Sequence, residues 1–315
     1  MRPRRLRAAA ARLATITPMR VSLLLMLLAA LVAGCGDDGG PAAAEQTPAV
    51  AWVDPDGDPP YIGSLSVNPK DGSLLMGSNT GLFRIPPDGG KPVKVTGDLI
   101  TAAGAGKVSE ALVAVFTGPD EVIASGHPSG DSTLPDALGL IRSDDGGRTW
   151  TSVSELGTAD FHAFALSRDV LAAPMYGQAQ ILLSRDGGRR FEPRVAPMAL
   201  VDLDIDPDDP KRWAATSEQG IFVSVDEGRS WRQRDPTPNV RLEWVAPGEL
   251  YRIDPGGPVK VSADGGETWQ DRGDAGGEPQ ALTADEEGVL YVASLDGKVQ
   301  RSEDGGRTWT ALVTP

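Results

Sequence analysis

The strongest constraint on the fold is an octet, Ser-x-Asp-x-Gly-x-Thr-Trp, that returns five times in the second half of the chain. The copies run Ser143 to Trp150, Ser184 to Phe191, Ser224 to Trp231, Ser262 to Trp269 and Ser302 to Trp309. Their aspartates, Asp145, Asp186, Asp226, Asp264 and Asp304, are 41, 40, 38 and 40 residues apart. A degenerate sixth copy, Pro86 to Val93, carries Asp88 at 57 residues before Asp145, which places an insertion between them, around His127 to Leu138. Self-similarity at this period belongs to solenoids and propellers. The octet reads as a tight hairpin: the carboxylate accepts hydrogen bonds from turn amides that have no ladder partner. Gly188 or Gly266 supplies a positive φ, and the tryptophan opens the next strand. Around Asp226 the pattern gives four short strands, Leu200–Ile205, Trp213–Ser217, Gly220–Val225 and Ser230–Arg234, separated by Gly, Pro and Asp clusters. Such a unit buries its faces only against its neighbours. The expectation is an all-β, six-bladed β-propeller of four-stranded antiparallel blades, with each octet forming the hairpin between the third and fourth strands. The alternative is seven blades, with Ala49–Asp54 and the stretch around Gly104–Phe116 supplying the extra strands.

The N-terminus is of another kind. Six arginines and no acidic residue precede residue 35, and Val21 to Ala33 is apolar but for Ser22. This is the n-region and h-region of an export signal; the run is too short to span a bilayer as a helix. It ends in Leu31-Val32-Ala33-Gly34-Cys35, which resembles the lipobox of bacterial lipoproteins and implies lipidation of Cys35, the only cysteine. The expected organisation is a signal peptide at 1–34, a lipidated flexible tether at 35–48 and a propeller at 49–315. The expected location is the outer face of the bacterial plasma membrane or the periplasm, with the membrane reached through the lipid. Without the six arginines, 24 basic residues face 44 acidic ones, a formal charge of −20, which excludes nucleic acid as a partner. One cysteine allows no internal disulfide, so stability must come from burial. A monomer without a cofactor is expected.

The octet resembles the Asp-box, or bacterial neuraminidase repeat, which implies a structural turn; one aspartate per turn is too few for a calcium ion. In a four-stranded meander the octets all fall on one face of the disc. The opposite rim then receives both histidines, His127 after the second strand of the second unit and His162 at the start of the third, with Asp160, Asp131 and Asp136 near them. Asn79, Tyr176, Gln178, Glu218, Asp254 and Asp296 map to the same rim, with Glu243 on the strand beside the channel. His127 and His162 are also weak metal candidates, although no zinc spacing is present.

Asp-boxes bring sialidases to mind, and Phe83-Arg84-Ile85-Pro86 matches a motif of that family. Here the motif runs directly into the degenerate octet, so it reads as an ordinary strand ending on the octet face. Through Ala124-Ser125-Gly126-His127-Pro128, Leu138-Gly139-Leu140-Ile141 and Ala159-Asp160-Phe161-His162-Ala163, the mature chain more closely resembles bacterial exported Asp-box propellers that carry a glycosyl hydrolase or sialidase label. Those open with His-x-His-Gly-Leu where this chain has Tyr61-Ile62-Gly63-Ser64-Leu65, which makes Tyr61 a candidate substitute. Photosystem II assembly factor and sortilin-type propellers are more distant resemblances and imply polypeptide binding. The leading expectation is a tethered binding or assembly propeller that recognises a polar ligand or partner protein through His127, His162, Asp160 and Tyr61. The alternative is a glycoside hydrolase, with Glu218, Glu243 and Tyr176 as candidate catalytic groups and a glycan as ligand.

Overall fold

The computed structural model describes residues 59–130 and 132–314. The signal peptide, Cys35, the tether, the Ala49–Asp54 strand and Asp131 lie outside the described residues. Within them the regular structure is all strand. The first blade is β1 (Ile62–Val67), β2 (Leu74–Ser78), β3 (Gly81–Ile85) and β4 (Val93–Val95). After it come β5 (Gly97–Thr101), β6 (Gly104–Gly118), β7 (Glu121–Pro128), β8 (Leu140–Ser143) and β9 (Thr149–Ser154). Next are β10 (Ala165–Ser167), β11 (Val170–Pro174), β12 (Gln180–Ser184) and β13 (Glu192–Val195), then β14 (Asp202–Ile205), β15 (Trp213–Ser217), β16 (Gly220–Ser224) and β17 (Arg232–Asp235). The chain finishes with β18 (Arg241–Ala246), β19 (Glu249–Ile253), β20 (Pro258–Ser262) and β21 (Gln270–Asp274), and with β22 (Pro279–Ala284), β23 (Leu290–Ser294), β24 (Val299–Ser302) and β25 (Thr310–Val313).

Five of these groups are four-stranded antiparallel meanders in sequence order. The expectation of six or seven like blades is therefore corrected to five. The segment 97–154 makes a different object, a five-stranded sheet closed on itself. The closing strand is β5, which lies before the His127–Leu138 stretch where the insertion is expected. The 15-residue β6 pairs at its start with β5 and at its end with β7. The β5 strand then lies parallel to β9, with Asp98 opposite Thr149 and Leu99 opposite Trp150, and so covers the edge that an outermost strand leaves open. Gly97 makes this possible, because a Cβ there would collide with the Trp150 indole.

The apolar side chains are buried between consecutive sheets. Leu203, Ile205 and Trp213 pack on Ala172 and Leu183, and Val240, Leu242 and Trp244 pack on Ala214 and Ile221. Ile62, Met76 and Ile85 of the first blade meet Tyr291, Val299 and Val313 of the last, so the ring closes by burial rather than by a shared strand. The second strands β2, β11, β15 and β23 are buried throughout, which explains their unbroken small and apolar sequences.

Each full octet folds in one way. In the first, Asp145 Oδ1 accepts the Ser143 hydroxyl (2.8 Å) and the N–H groups of Arg148 (3.0 Å) and Thr149 (2.8 Å), Oδ2 accepts the Thr149 hydroxyl (2.7 Å), and Ser143 Oγ accepts the Gly147 N–H (2.8 Å). Gly147 has φ +92°, where a side chain would be strained. Asp226, Asp264 and Asp304 repeat this pattern, and Asp186 most of it. The degenerate copy at Asp88 is held by the backbone, with Gly89 N–H on Pro86 O (2.9 Å) and Gly90 N–H on Leu312 O (3.1 Å).

Candidate functional site

The innermost strands β1, β10, β14, β18 and β22, with the end of β6, line a central cavity of about 1350 Å³. On the rim away from the octets, the segment Asp160-Phe161-His162 is pinned by Phe161, which is fully buried, bridges to Met175 and donates its N–H to Ser125 Oγ (3.3 Å). Alternation along an extended chain then gives Asp160 and His162 a common side, and His162 Nε2 lies 2.9 Å from Asp160 Oδ2. From the neighbouring sheet, at the end of β7, His127 Nε2 approaches the same oxygen at 3.7 Å. Its Nδ1 faces the Asp136 carbonyl at 2.9 Å and the Asp136 carboxylate at 3.4 Å.

Tyr176, on the β11–β12 turn, stacks on the His162 ring with centroids 4.0 Å apart and planes inclined by 19°. It remains 66 % exposed, an aromatic face offered to solvent at the cavity mouth. Asp160 is half-buried. Burial pushes its carboxyl up, but the hydrogen bond and charge of His162 and the charge of His127 outweigh this and hold it below the usual carboxylate range. Its Oδ1 is buried without a hydrogen-bond partner.

The structure thus gathers His127, Asp160, His162, Asp136 and Tyr176. It does not bring in Tyr61, which lines another arc of the cavity, donates its N–H to Asn79 Oδ1 (2.9 Å) and accepts the Asn79 N–H at its carbonyl (3.1 Å). Glu218 is exposed on the β15–β16 turn, away from the cavity wall that carries Glu243. Asp254 is held by Arg252 and Lys260, and Asp296 pairs with Lys298. Arg84 lies in β3 over Phe116 and 4.0 Å from Asp71, beneath the first full octet turn. Among the described residues no group of three or more His, Cys, Asp or Glu side chains is placed to hold a metal ion.

A second cluster escaped the sequence reading. Asp202 and Asp204 on β14 and Glu243 on β18 line one wall of the cavity. Burial pushes all three carboxyls up, Asp204 to about 7, and their mutual charge pushes Asp204 and Glu243 further. The available signal was Asp202-Leu203-Asp204-Ile205, an alternation with charge on the face that should meet a neighbour.

No protein-family model matches the chain, and no curated protein matches it. Solved structures do. The WD40 propeller domain of Doa1 aligns over 82 % of this chain and 84 % of its own, with TM-score 0.54 and 9 % identity. YCF48 from Cyanidioschyzon merolae aligns over 75 % and 93 %, with TM-score 0.50 and 12 % identity. A structure of YCF48 bound to D1 peptide aligns over 70 % of each chain, with TM-score 0.45 and 17 % identity. At these identities the likeness is one of fold, a β-propeller.

Proposed function

We propose that this protein is a membrane-anchored, extracytoplasmic propeller that binds a polar ligand or partner protein at the rim opposite the octets. The observation that carries this reading is Tyr176: an exposed ring braced face to face by His162, which Asp160 in turn orients. Aromatic groups that stay exposed while their backs are fixed lose little entropy on binding. Of the polar groups around it, Asp136, Asp160 and His162 belong to connections between strands, where binding residues concentrate on rigid scaffolds, and His127 ends β7. The anchor is the lipidated Cys35 of the sequence reading.

Glycoside hydrolysis is the weaker reading. It needs a free carboxylate pair flanking the scissile bond, whereas Glu243 Oε1 accepts the Ala284 N–H (3.1 Å) and both aspartates beside it are tied to backbone in the same way. The test is thermal denaturation of the full-length chain with a panel of short polar peptides and oligosaccharides, alongside turnover of aryl glycosides. The expected result is a rise in Tm with one probe class that Tyr176→Ala and His162→Ala both abolish. Aryl-glycoside turnover lost in Glu243→Gln would overturn the proposal.

A further inference from the structure

The innermost strand of a blade is an edge, and its outward N–H groups need acceptors. Here the preceding sheet supplies them. Ser64 and Ser66 hydroxyls cap the N–H groups of Ala114 (3.0 Å) and Phe116 (2.9 Å), and Gln280 Oε1 caps Ile62 (2.8 Å) across the junction of the last and first blades. On the opposite wall the caps are acids. Asp202 Oδ2 accepts from Leu242 (3.0 Å), Asp204 Oδ2 from Trp244, and Glu243 Oε1 from Ala284 (3.1 Å). Three carboxyls therefore stitch β14 to β18 and β18 to β22.

We propose that Asp202, Asp204 and Glu243 form a proton-held latch, closed while the trio retains its protons and loosened when it ionises, so that this wall of the cavity opens as pH rises. The charge balance around the trio supports it. On β14 and its turn, Asp206 adds a further negative charge already committed to Arg212 (3.2 Å). On β18 only Arg241 is cationic, and its guanidinium donates to the Val201 carbonyl (3.1 Å). The β22 strand brings no charge, and the turn after it brings Asp285, Glu286 and Glu287. From the β10–β11 turn, Arg168 and Asp169 face the same cavity, but Arg168 donates to the Asp208 carbonyl. One arginine cannot neutralise three carboxylates in a half-buried wall. A protonated carboxyl still accepts the N–H through its carbonyl oxygen, so the stitch survives protonation.

The raised carboxyls fix the sign. In the unfolded or opened chain these groups titrate near 4, whereas in the closed wall Asp204 does so at about 7 and Glu243 also well above its usual range. The closed form is favoured at low pH, and that advantage is lost as pH climbs from about 4 through 7. The experiment is amide exchange by NMR on the full-length chain at pH 5 and pH 8, corrected for intrinsic rates. Ala114 and Phe116, capped by serine, are the internal control. Protection at Leu242, Trp244 and Ala284 is expected to fall about tenfold or more relative to the controls, since each proton released changes the opening constant about tenfold per pH unit. Asp204→Asn and Glu243→Gln, which keep an acceptor oxygen and cannot ionise, are expected to shrink that fall. Equal protection at the two pH values, or a fall shared by Ala114 and Phe116, would overturn the latch from the wild-type data alone, even if a variant failed to fold.

Discussion

His127 and His162 address a single oxygen from neighbouring sheets: Asp160 Oδ2 lies 3.7 Å from Nε2 of the first and 2.9 Å from Nε2 of the second. The joint depends on Phe161, whose burial sets Asp160 and His162 on one side of the chain. Orientation passes outward from it, from carboxylate to imidazole and from imidazole to the stacked ring of Tyr176.

Tyr176→Ala separates binding from folding. The ring is mostly exposed and sits on a surface turn, so its loss is expected to change stability by no more than about 0.5 kcal/mol. Any ligand-induced rise in Tm should disappear. Asp160→Asn should cost about 1 kcal/mol through the lost charge-assisted bond to His162. It should also change the ring-nitrogen correlations of His162 in long-range 1H–15N spectra, because the carboxylate that fixes its tautomer is gone.

Phe161→Ala should act on both at once. Removing a fully buried aromatic leaves a cavity beside Phe164 and Phe191, at about 3–5 kcal/mol in chemical denaturation. Phe161→Leu, which keeps most of the volume, should cost less than half as much and retain the His162 correlations. Equal losses in the two variants would mean that the segment is not anchored by this ring.

Asp145→Asn tests the octet turns through pH. Hydrogen bonds, led by the Thr149 N–H, hold the Asp145 carboxyl down at about 2, and the same level applies to Asp226, Asp264 and Asp304. For a carboxyl lowered on folding, the stabilisation is complete above the unfolded value near 4 and lost as pH falls toward 2. Wild-type stability should therefore drop steeply between pH 4 and 2. The variant, weaker by about 1–2 kcal/mol at pH 7 through its lost acceptors, should converge on wild type in that window. A constant difference from pH 7 to 2 would show that ionisation is not what the turn uses.

The parts legible in the sequence are those written locally. In the unit around Asp226, Trp213–Ser217 is legible to the residue because a buried middle strand is an apolar run between Pro210 and Gly220. The histidines reached one rim by the same logic, since strand order and alternation assign each turn to a face. The closure of β5 onto β9 was not legible, because Asp98 and Thr149 are 51 residues apart and no local pattern announces a parallel pair. The acid wall was missed for a related reason: Asp204 and Glu243 acquire their chemistry from each other, across a seam that exists only once the blades have packed.

Arg252→Met probes the one strongly buried cation of the β18–β21 blade. The guanidinium, 2 % exposed in β19, lies 2.9 Å from both Asp235 of the preceding blade and Asp254, and 4.8 Å from the Trp269 ring centroid. Lys260 also reaches Asp254 (3.0 Å), so Asp254 keeps a partner in the variant and Asp235 loses its own. Burial pushes Asp235 up, yet the Thr237 hydroxyl and N–H together with Arg252 hold it at about 2. Breaking a buried pair from one side costs about 3–5 kcal/mol, and the partial exposure of Asp235 places this variant at the lower end, about 3 kcal/mol at pH 7. The sign with pH follows. Without Arg252 the Asp235 carboxyl titrates nearer its unfolded value, so the penalty should shrink as pH falls from about 4 to 2, when the wild type also loses the charge. Adding Asp235→Asn to Arg252→Met should restore about 1 kcal/mol or more at pH 7 by removing the orphaned charge. A double variant no more stable than Arg252→Met would place the cost in lost packing against Trp269 instead.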